Sequence, residues 1–418
     1  MGGARPDFRN AAMSVAQFPE FPDSEYEQRV SRARRLMDEH GLDAILLTQK
    51  DNIRYFAGGP LTDIFKDPCN LFFVIVPAAR EQEPVVMCQY SLQGIARSTW
   101  FADRRFWNLK PGGSIIDLSS AAIEAARDVL TEKRLDGATI GIESDESLRP
   151  GLTPKQLEDL MNAMPGVTWR SCAPVVWQCR KHKSPREIEK HREACAITCD
   201  AIEHALKRVR PGVSERDIAR DIYVEMFRRG ATGRGFLSVT VGPPRGIWCD
   251  ATASPAVTVE KGSIILVDGG CTVDGYYADL IRVAAVGKPP PPIAELFDLA
   301  YRAQKDAEAA LGEGVRIGDV HDASRRPFEK AGFGPNMSAG GFGQLGHGIG
   351  LSLHELPDLR RDSDETFSKG MVFAIEPAVS DHPDRGQATQ LCIFENNFAI
   401  TEKGVERLTR TDDEVLVL

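Results

Sequence analysis

The sequence predicts an α/β domain followed by an α+β domain. At 418 residues the chain is too long for one ordinary hydrophobic core. Apolar runs alternate with amphipathic helical stretches as far as residue 180, a pattern typical of α/β layers. Beyond residue 186, long helical stretches accompany apolar runs, two of which flank a tight-turn signal. That arrangement favours antiparallel strands in an α+β domain.

In the first domain the pattern predicts each element in turn. Residues 1–24 are expected to form an N-terminal arm, and residues 25–183 the domain itself. A helix over 25–40 should end at Gly41, which supplies a stop signal. The further predicted helices cover 119–132 and 152–164, and the predicted strands cover 42–48, 71–78, 84–90 and 138–143.

The second domain is predicted to cover residues 184–418. Ser184 and Pro185 begin a long helix as a cap and a first-turn proline, and Ser214 caps a second helix. Two further helices are predicted over 292–311 and 316–331, and strands over 236–242, 371–377 and 391–400.

The most informative stretch is residues 264–286, where two β-branched runs flank Asp274-Gly275, a strong hairpin signal. A two-residue loop there would set Asp268 opposite Ile281 and bring Asp268 and Asp279 to one face as diagonal neighbours, about 7–8 Å apart. A slip of one residue would separate them. Two acids on an apolar face favour a cation between them. The alternative is one solvated acid and one structural acid.

Three later positions extend this interpretation. His347 lies in a glycine-rich stretch, Glu376 follows an apolar run, and Glu395 lies within one. Each has an ordinary alternative, namely a loop histidine, a strand-ending acid before proline, and a solvent-facing strand acid. Singly, none of them indicates a metal site.

Taken together, the motifs resemble a known family. The segments VDGG…GYYADLIR, GHGIGLSLHE, MVFAIEP and ENNFAITEKG resemble those of the pita-bread metallopeptidases of family M24, which include prolidase, X-Pro aminopeptidase, methionine aminopeptidase and creatinase. The segments HGLDAILLTQKDNIRYFAGG and RKHKSPREIEK resemble the creatinase-type N-terminal domain. This resemblance implies a pita-bread catalytic domain preceded by an α/β creatinase-type domain.

The resemblance also implies a site and a reaction. Its five metal ligands would be Asp268, Asp279, His347, Glu376 and Glu395, which together would hold two divalent ions. Four carboxylates and one imidazole suit Mn²⁺, the expected ion, while Co²⁺, Fe²⁺ and Zn²⁺ stay open. A water between the ions would attack a C–N bond in a dipeptide or a small amide. Glu376 would handle the proton, and His354 would assist the tetrahedral intermediate. Relatives with this front domain usually form homodimers in which the N-terminal domain helps close the partner's site.

Two departures from the family pattern leave the substrate open. The family histidine seventeen residues before the first ligand is Ala251 here, and an arginine two residues before the last ligand is Ile393. Trp248 and Asp250 are expected to contact substrate instead, although a core tryptophan and a turn aspartate would explain them equally. A metal-dependent lyase resembling some dimethylsulfoniopropionate lyases is the alternative function. A non-catalytic binding protein is the third hypothesis, but it gives no reason to retain five ligands.

Composition limits the partners and the compartment. Hydrophobic residues at 42% and charged residues at 27% are typical of a folded globular chain. A net charge of −9 disfavours nucleic acid as a partner, and no apolar run is long enough to span a membrane. Nine cysteines without C-x-x-C spacing and the lack of a signal-peptide pattern favour reduced thiols in the cytoplasm.

Overall fold

The computed structural model describes residues 21–59, 69–109, 112–114, 117–242, 253–333, 344–382, 389–410 and 414–418. It divides into two compact units, the first ending at Cys179 and the second beginning at Arg180.

The first unit contains a mixed six-stranded sheet in the order β4-β3-β2-β1-β5-β6. Its strands are β1 (Ala44–Leu47), β2 (Phe72–Pro77), β3 (Val85–Gln89), β4 (Asp103–Trp107), β5 (Thr139–Ile142) and β6 (Thr168–Ser171). Its helices are α1 (Asp23–His40), α2 (Lys50–Ala57), α3 (Gln93–Arg97), α4 (Leu118–Glu132), α5 (Pro154–Ala163) and α6 (Ala173–Lys181), the last of which continues into the second unit.

Every element predicted for this unit is present, but sequence reasoning missed the two edge strands and the helices α2, α3 and α6. β4 is half-exposed over four of its five residues, and β6 alternates between exposed and half-exposed residues. An edge strand has a neighbour on one side only, so it need not carry the continuous apolar run that identified β1 and β2.

The second unit is built from helices and mainly antiparallel strands. Its helices are α7 (Pro185–Leu206), α8 (Glu215–Arg228), α9 (Pro291–Ala310) and α10 (Ile317–Lys330). Its strands are β7 (Gly233–Gly242), β8 (Ile264–Val273), β9 (Tyr276–Tyr277), β10 (Leu280–Ala285), β11 (Gly346–Gly348), β12 (Glu355–Asp358), β13 (Val372–Ile375), β14 (Ala378–Ser380), β15 (Leu391–Ile393), β16 (Asn396–Thr401), β17 (Gly404–Arg407) and β18 (Leu416–Val417).

These strands form three sheets. The first has the order β18-β10-β8-β7 with β9 paired to β8, the second has the order β12-β11-β13-β16-β17, and the third pairs β14 with β15. Strand β8 is buried along its whole length. Ile265 and Val267 pack in the cluster formed with α7 and α8, whereas Ile264 and Leu266 pack with α9 and β15.

The predicted hairpin register is confirmed. Val273 pairs with Tyr276 across the turn, and Asp268 pairs with Ile281 further along the ladder. Asp274 has φ 48° and Gly275 has φ 85°. Positive φ at both central residues is the signature of the type I′ turn that Asp-Gly favours.

The predicted single strand over 391–400 is wrong in one respect, because the chain breaks at Phe394 and Glu395. Before the break, β15 pairs with β14, and after it β16 pairs with β13 in a different sheet. Glu395 lies at this change of sheet and forms an isolated bridge with Ile281. Residues 391–394 and 398–400 are apolar on either side of Glu395, Asn396 and Asn397, and such runs do not by themselves show whether the chain changes sheet between them.

Candidate metal centre

The five predicted ligands are all buried in the second unit. Asp268 lies in β8 and His347 in β11. Asp279 lies between β9 and β10, Glu376 follows β13, and Glu395 lies between β15 and β16. None is more than 9% exposed.

Asp268 precedes a distortion in β8 that depends on Gly269. Gly269 has φ 126°, a backbone conformation that residues other than glycine rarely adopt. A Cβ there would lie 2.1 Å from the carbonyl oxygen of Phe236. The register of β7 against β8 shifts between Arg234 and Leu237, beside this glycine. Bulges of this kind redirect side chains next to active sites.

His347 presents one ring nitrogen to the carboxylates. Its Nδ1 lies 3.0 Å from the carbonyl oxygen of Gly348, to which it can donate a hydrogen bond. Its Nε2 lies 3.7 Å from Asp279 Oδ2 and 3.9 Å from Glu395 Oε1. Burial and the adjacent His354 lower the pKa of His347 to about 4. The ring is therefore neutral near pH 7, and its Nε2 lone pair is available to a metal.

The carboxylates of the candidate centre lie close enough to repel one another. Burial, Asp268 and Glu376 raise the pKa of Asp279 well above its ordinary value. Burial raises the pKa of Glu395 likewise, reinforced by the other three carboxylates. Asp279 Oδ1 and Glu395 Oε1 are buried without a hydrogen-bond partner in the described part of the chain. Such a cluster is expensive unless a cation neutralises it.

The donor set fits a divalent metal. Asp279, His347 and Glu395 each offer a ligand atom, and these atoms lie within 4.8 Å of one another. Asp268 and Glu376 are close enough to influence both acids electrostatically. Carboxylate oxygens with one neutral imidazole suit hard or borderline divalent ions.

Comparison with known proteins identifies the family. The profile described as metallopeptidase family M24 matches residues 189–402, and the profile described as the creatinase/prolidase N-terminal domain matches residues 29–182. The chain belongs to metallopeptidase family M24. This M24 protein is a metallohydrolase, and its family uses divalent metals. The predicted fold, a creatinase-type domain followed by a pita-bread catalytic domain, is confirmed.

Relatives match the M24 chain over almost its full length. YkvY of Bacillus subtilis is 27% identical over 396 residues, which is 93% of this chain and 99% of YkvY. The Xaa-Pro dipeptidase of Pyrococcus furiosus is 24% identical over 390 residues, covering 93% of this chain and 100% of that protein. The solved structure of an Xaa-Pro dipeptidase from Bacillus anthracis has a TM-score of 0.76 at 25% identity, covering 94% of this chain and 100% of that one.

The predicted catalytic histidine lies beside the candidate centre. The ring centroids of His354 and His347 are 4.3 Å apart with an interplanar angle of 54°, and the His354 side chain is exposed. The predicted substrate contacts Trp248 and Asp250, and also Ala251, lie outside the described residues. Ile393 is fully buried in β15 opposite Ala378. In this M24 chain it therefore offers no charge to a substrate.

Sequence reasoning missed the arginine that holds the Glu395 backbone. Arg282 donates from Nη1 to the carbonyl oxygen of Glu395 at 2.9 Å and from Nη2 to Asn396 Oδ1 at 3.0 Å. Arg282 belongs to the same GYYADLIR segment as Asp279, so its position in the motif was the available signal.

None of the described helices has both the length and the apolar content that crossing a bilayer requires.

Proposed function

We propose that this M24 protein is a hydrolase that cleaves a C–N bond in a dipeptide or a small amide with two divalent ions. Asp268, Asp279, His347, Glu376 and Glu395 would hold the ions, with Mn²⁺ expected and Co²⁺, Fe²⁺ or Zn²⁺ as alternatives. The main support is a pair of buried carboxylate oxygens, without a hydrogen-bond partner among the residues that the structure describes, beside a neutral histidine. The catalytic domain would span residues 184–418, preceded by a domain over 25–183 and an arm over 1–24.

The chemistry divides between the ions and the protein. When bound, such ions lower the pKa of water and polarise a carbonyl oxygen. Glu376, buried and within electrostatic reach of Asp279 and Glu395, would accept the proton released by the attacking water. His354, exposed beside His347, would donate a hydrogen bond to the substrate oxygen that gains negative charge.

The substrate would be smaller or less peptide-like than an X-Pro dipeptide. An arginine that pairs with a peptide carboxylate contributes two parallel hydrogen bonds, which Ile393 cannot supply. Ala251 likewise cannot transfer a proton. Trp248 and Asp250 would contact substrate in their place. These two departures also favour the second candidate, a metal-dependent lyase on the same fold, since elimination needs no peptide carboxylate clamp.

A substrate panel distinguishes these possibilities. The Mn²⁺-loaded protein is assayed against X-Pro dipeptides, small amides and elimination substrates. We expect kcat/KM for the dipeptides to lie below about 10⁴ M⁻¹s⁻¹, the lower end of ordinary enzyme efficiency, and a small amide to exceed it. Dipeptide turnover above that value would show that Ala251 and Ile393 do not matter. Elimination without amide hydrolysis would replace the proposed reaction by the lyase.

We also propose that the protein is a homodimer that works in the cytoplasm, where reducing conditions suit its cysteines. Those in the described ranges form no disulfide. The dimer is supported by the resemblance to relatives that share the front domain. One chain has a mass of 45.9 kDa. Light scattering at micromolar concentration should give twice that mass, and a mass near that of one chain would contradict the dimer.

A further inference from the structure

Asn397 lies in the same row of the second sheet as His347. His347 in β11 pairs with Ala374 in β13, and Ala374 pairs with Asn397 in β16. Directly opposed residues of antiparallel strands project from the same face. Asn397 and His347 therefore share a face, separated only by the small side chain of Ala374. Asn397 is 1% exposed.

The Asn397 side chain pairs with both backbone polar groups of Asp279. Asn397 Nδ2 donates to the Asp279 carbonyl oxygen at 2.5 Å, and Asn397 Oδ1 accepts from the Asp279 N–H at 3.0 Å. A carboxamide has the donor and acceptor of a peptide group, so it pairs with Asp279 as a neighbouring strand would. Asp279 lies between β9 and β10, where buried backbone groups still need partners.

A third contact orients the carboxamide. Cys195, fully buried in α7, donates from Sγ to Asn397 Oδ1 at 3.2 Å. Asn397 Oδ1 thus accepts hydrogen bonds from two donors, the Asp279 N–H and the Cys195 thiol, while Nδ2 donates to the Asp279 carbonyl oxygen. If the carboxamide were flipped, its NH₂ group would face the N–H of Asp279 and the thiol of Cys195, so that donors would face donors. Only one orientation therefore satisfies all three groups.

We propose that Asn397 is a positioning residue that sets the distance between Asp279 and His347, and thereby the affinity of the centre for metal. The two ligands belong to different sheets. Asn397 lies in β16, in the same sheet as His347, and its side chain bonds to the backbone of Asp279, which lies beside the other sheet. Hydrogen bonds that orient ligands in this way typically change metal affinity by about 10–100-fold. The inference rests on the proposed metal centre.

The test measures metal affinity and stability separately. Asn397→Leu removes the two hydrogen bonds with Asp279 and the one from Cys195 in a side chain of similar size. Asn397→Ser removes them in a smaller side chain that admits water. Chelator-treated proteins are titrated with Mn²⁺ by calorimetry, and the absorption spectrum of the Co²⁺ form reports ligand geometry. We expect both variants to bind Mn²⁺ about 10–100-fold more weakly and to show an altered Co²⁺ spectrum.

Asn52→Leu is the matched control. Asn52 is a fully buried asparagine of the first unit whose Nδ2 donates to Glu143 at 2.6 Å. This variant should lose stability but keep the parent's Mn²⁺ affinity. If Asn397→Leu does not fold, Asn397→Ser decides.

The outcomes separate this inference from the proposed function. A parent that binds no Mn²⁺ overturns both. If the parent binds Mn²⁺ and the Asn397 variants bind it within about twofold of the parent, the change in affinity is smaller than the range expected for a ligand-orienting bond. That result would overturn the positioning role alone. Weakened binding in the Asn397 variants but not in Asn52→Leu supports it.

Discussion

Replacing Glu355 by glutamine is expected to destabilise the second unit by about 3–5 kcal/mol, the usual effect of breaking a buried ion pair from one side. Glu355 contacts the guanidinium of Arg180 and the Nζ of Lys183, the latter at 3.0 Å. The side chains of all three residues are 1% exposed. A neutral amide would leave two cations buried without their counter-ion. Urea unfolding of parent and variant measures the difference.

The pH dependence of this difference has a definite sign. Burial alone would raise the pKa of Glu355, but Arg180 and Lys183 outweigh it and hold that pKa at about 2, against 4.5 for an ordinary glutamate. A lowered folded-state pKa contributes stability above pH 4.5 that is lost as the pH falls toward 2. The stability gap between parent and variant should therefore narrow over that window.

Glu402→Gln is the control for Glu355→Gln. Glu402 pairs with Lys369 at 2.8 Å, but its side chain is 78% exposed. Exposed pairs contribute about 0–1 kcal/mol, so this variant should unfold almost with the parent. Equal effects of the two substitutions would contradict the role given to the buried cluster.

Because Glu355 follows His354 directly, Glu355→Gln should also lower kcat.

Asp279→Ala is expected to remove most of the bound metal and, with it, the activity. Asp279 is buried, and its Oδ2 lies 3.7 Å from His347 Nε2. Without this carboxylate the site loses both a ligand and one of the charges that attract a cation. Elemental analysis of protein purified without chelator should show up to two transition-metal ions per parent chain, the number a two-metal site holds, and fewer in the variant.

Asp274→Asn is the matched control on the same hairpin. Asp274 pairs with Lys190 at 2.6 Å and has φ 48°, a conformation that asparagine tolerates. Its metal content should equal that of the parent. Unchanged metal content in Asp279→Ala, or none in the parent after Mn²⁺ addition, would remove the argument for a metal centre.

Local chemistry made part of this molecule predictable. Ser184, Ser214 and Thr153 each form a capping box at the helix they begin, and such boxes depend on residues three apart in the chain. The hairpin register followed from Asp274-Gly275 because a two-residue turn determines every pair beyond it. The placement of Asp268 opposite Ile281 is thus a consequence of local sequence.

Contacts between residues far apart in sequence were not predictable in this way. The Glu355 cluster joins residues 172 and 175 positions apart, and the bonds between Asn397 and Asp279 span 118 positions. Polar residues inside apolar runs satisfy the same pattern whether they face solvent, a ligand or a backbone group. The break at Glu395 was hidden for the same reason.

The sequence by itself determined the identity of the candidate ligands, the family, and the register that aligns the two aspartates on one hairpin. Only the tertiary structure decided how Asp279 is held and how the loop carrying His354 is braced. The physical reason is the range of the interactions. Turn geometry and capping act within a few residues, whereas the partners of a buried charge or amide are selected by packing between sheets.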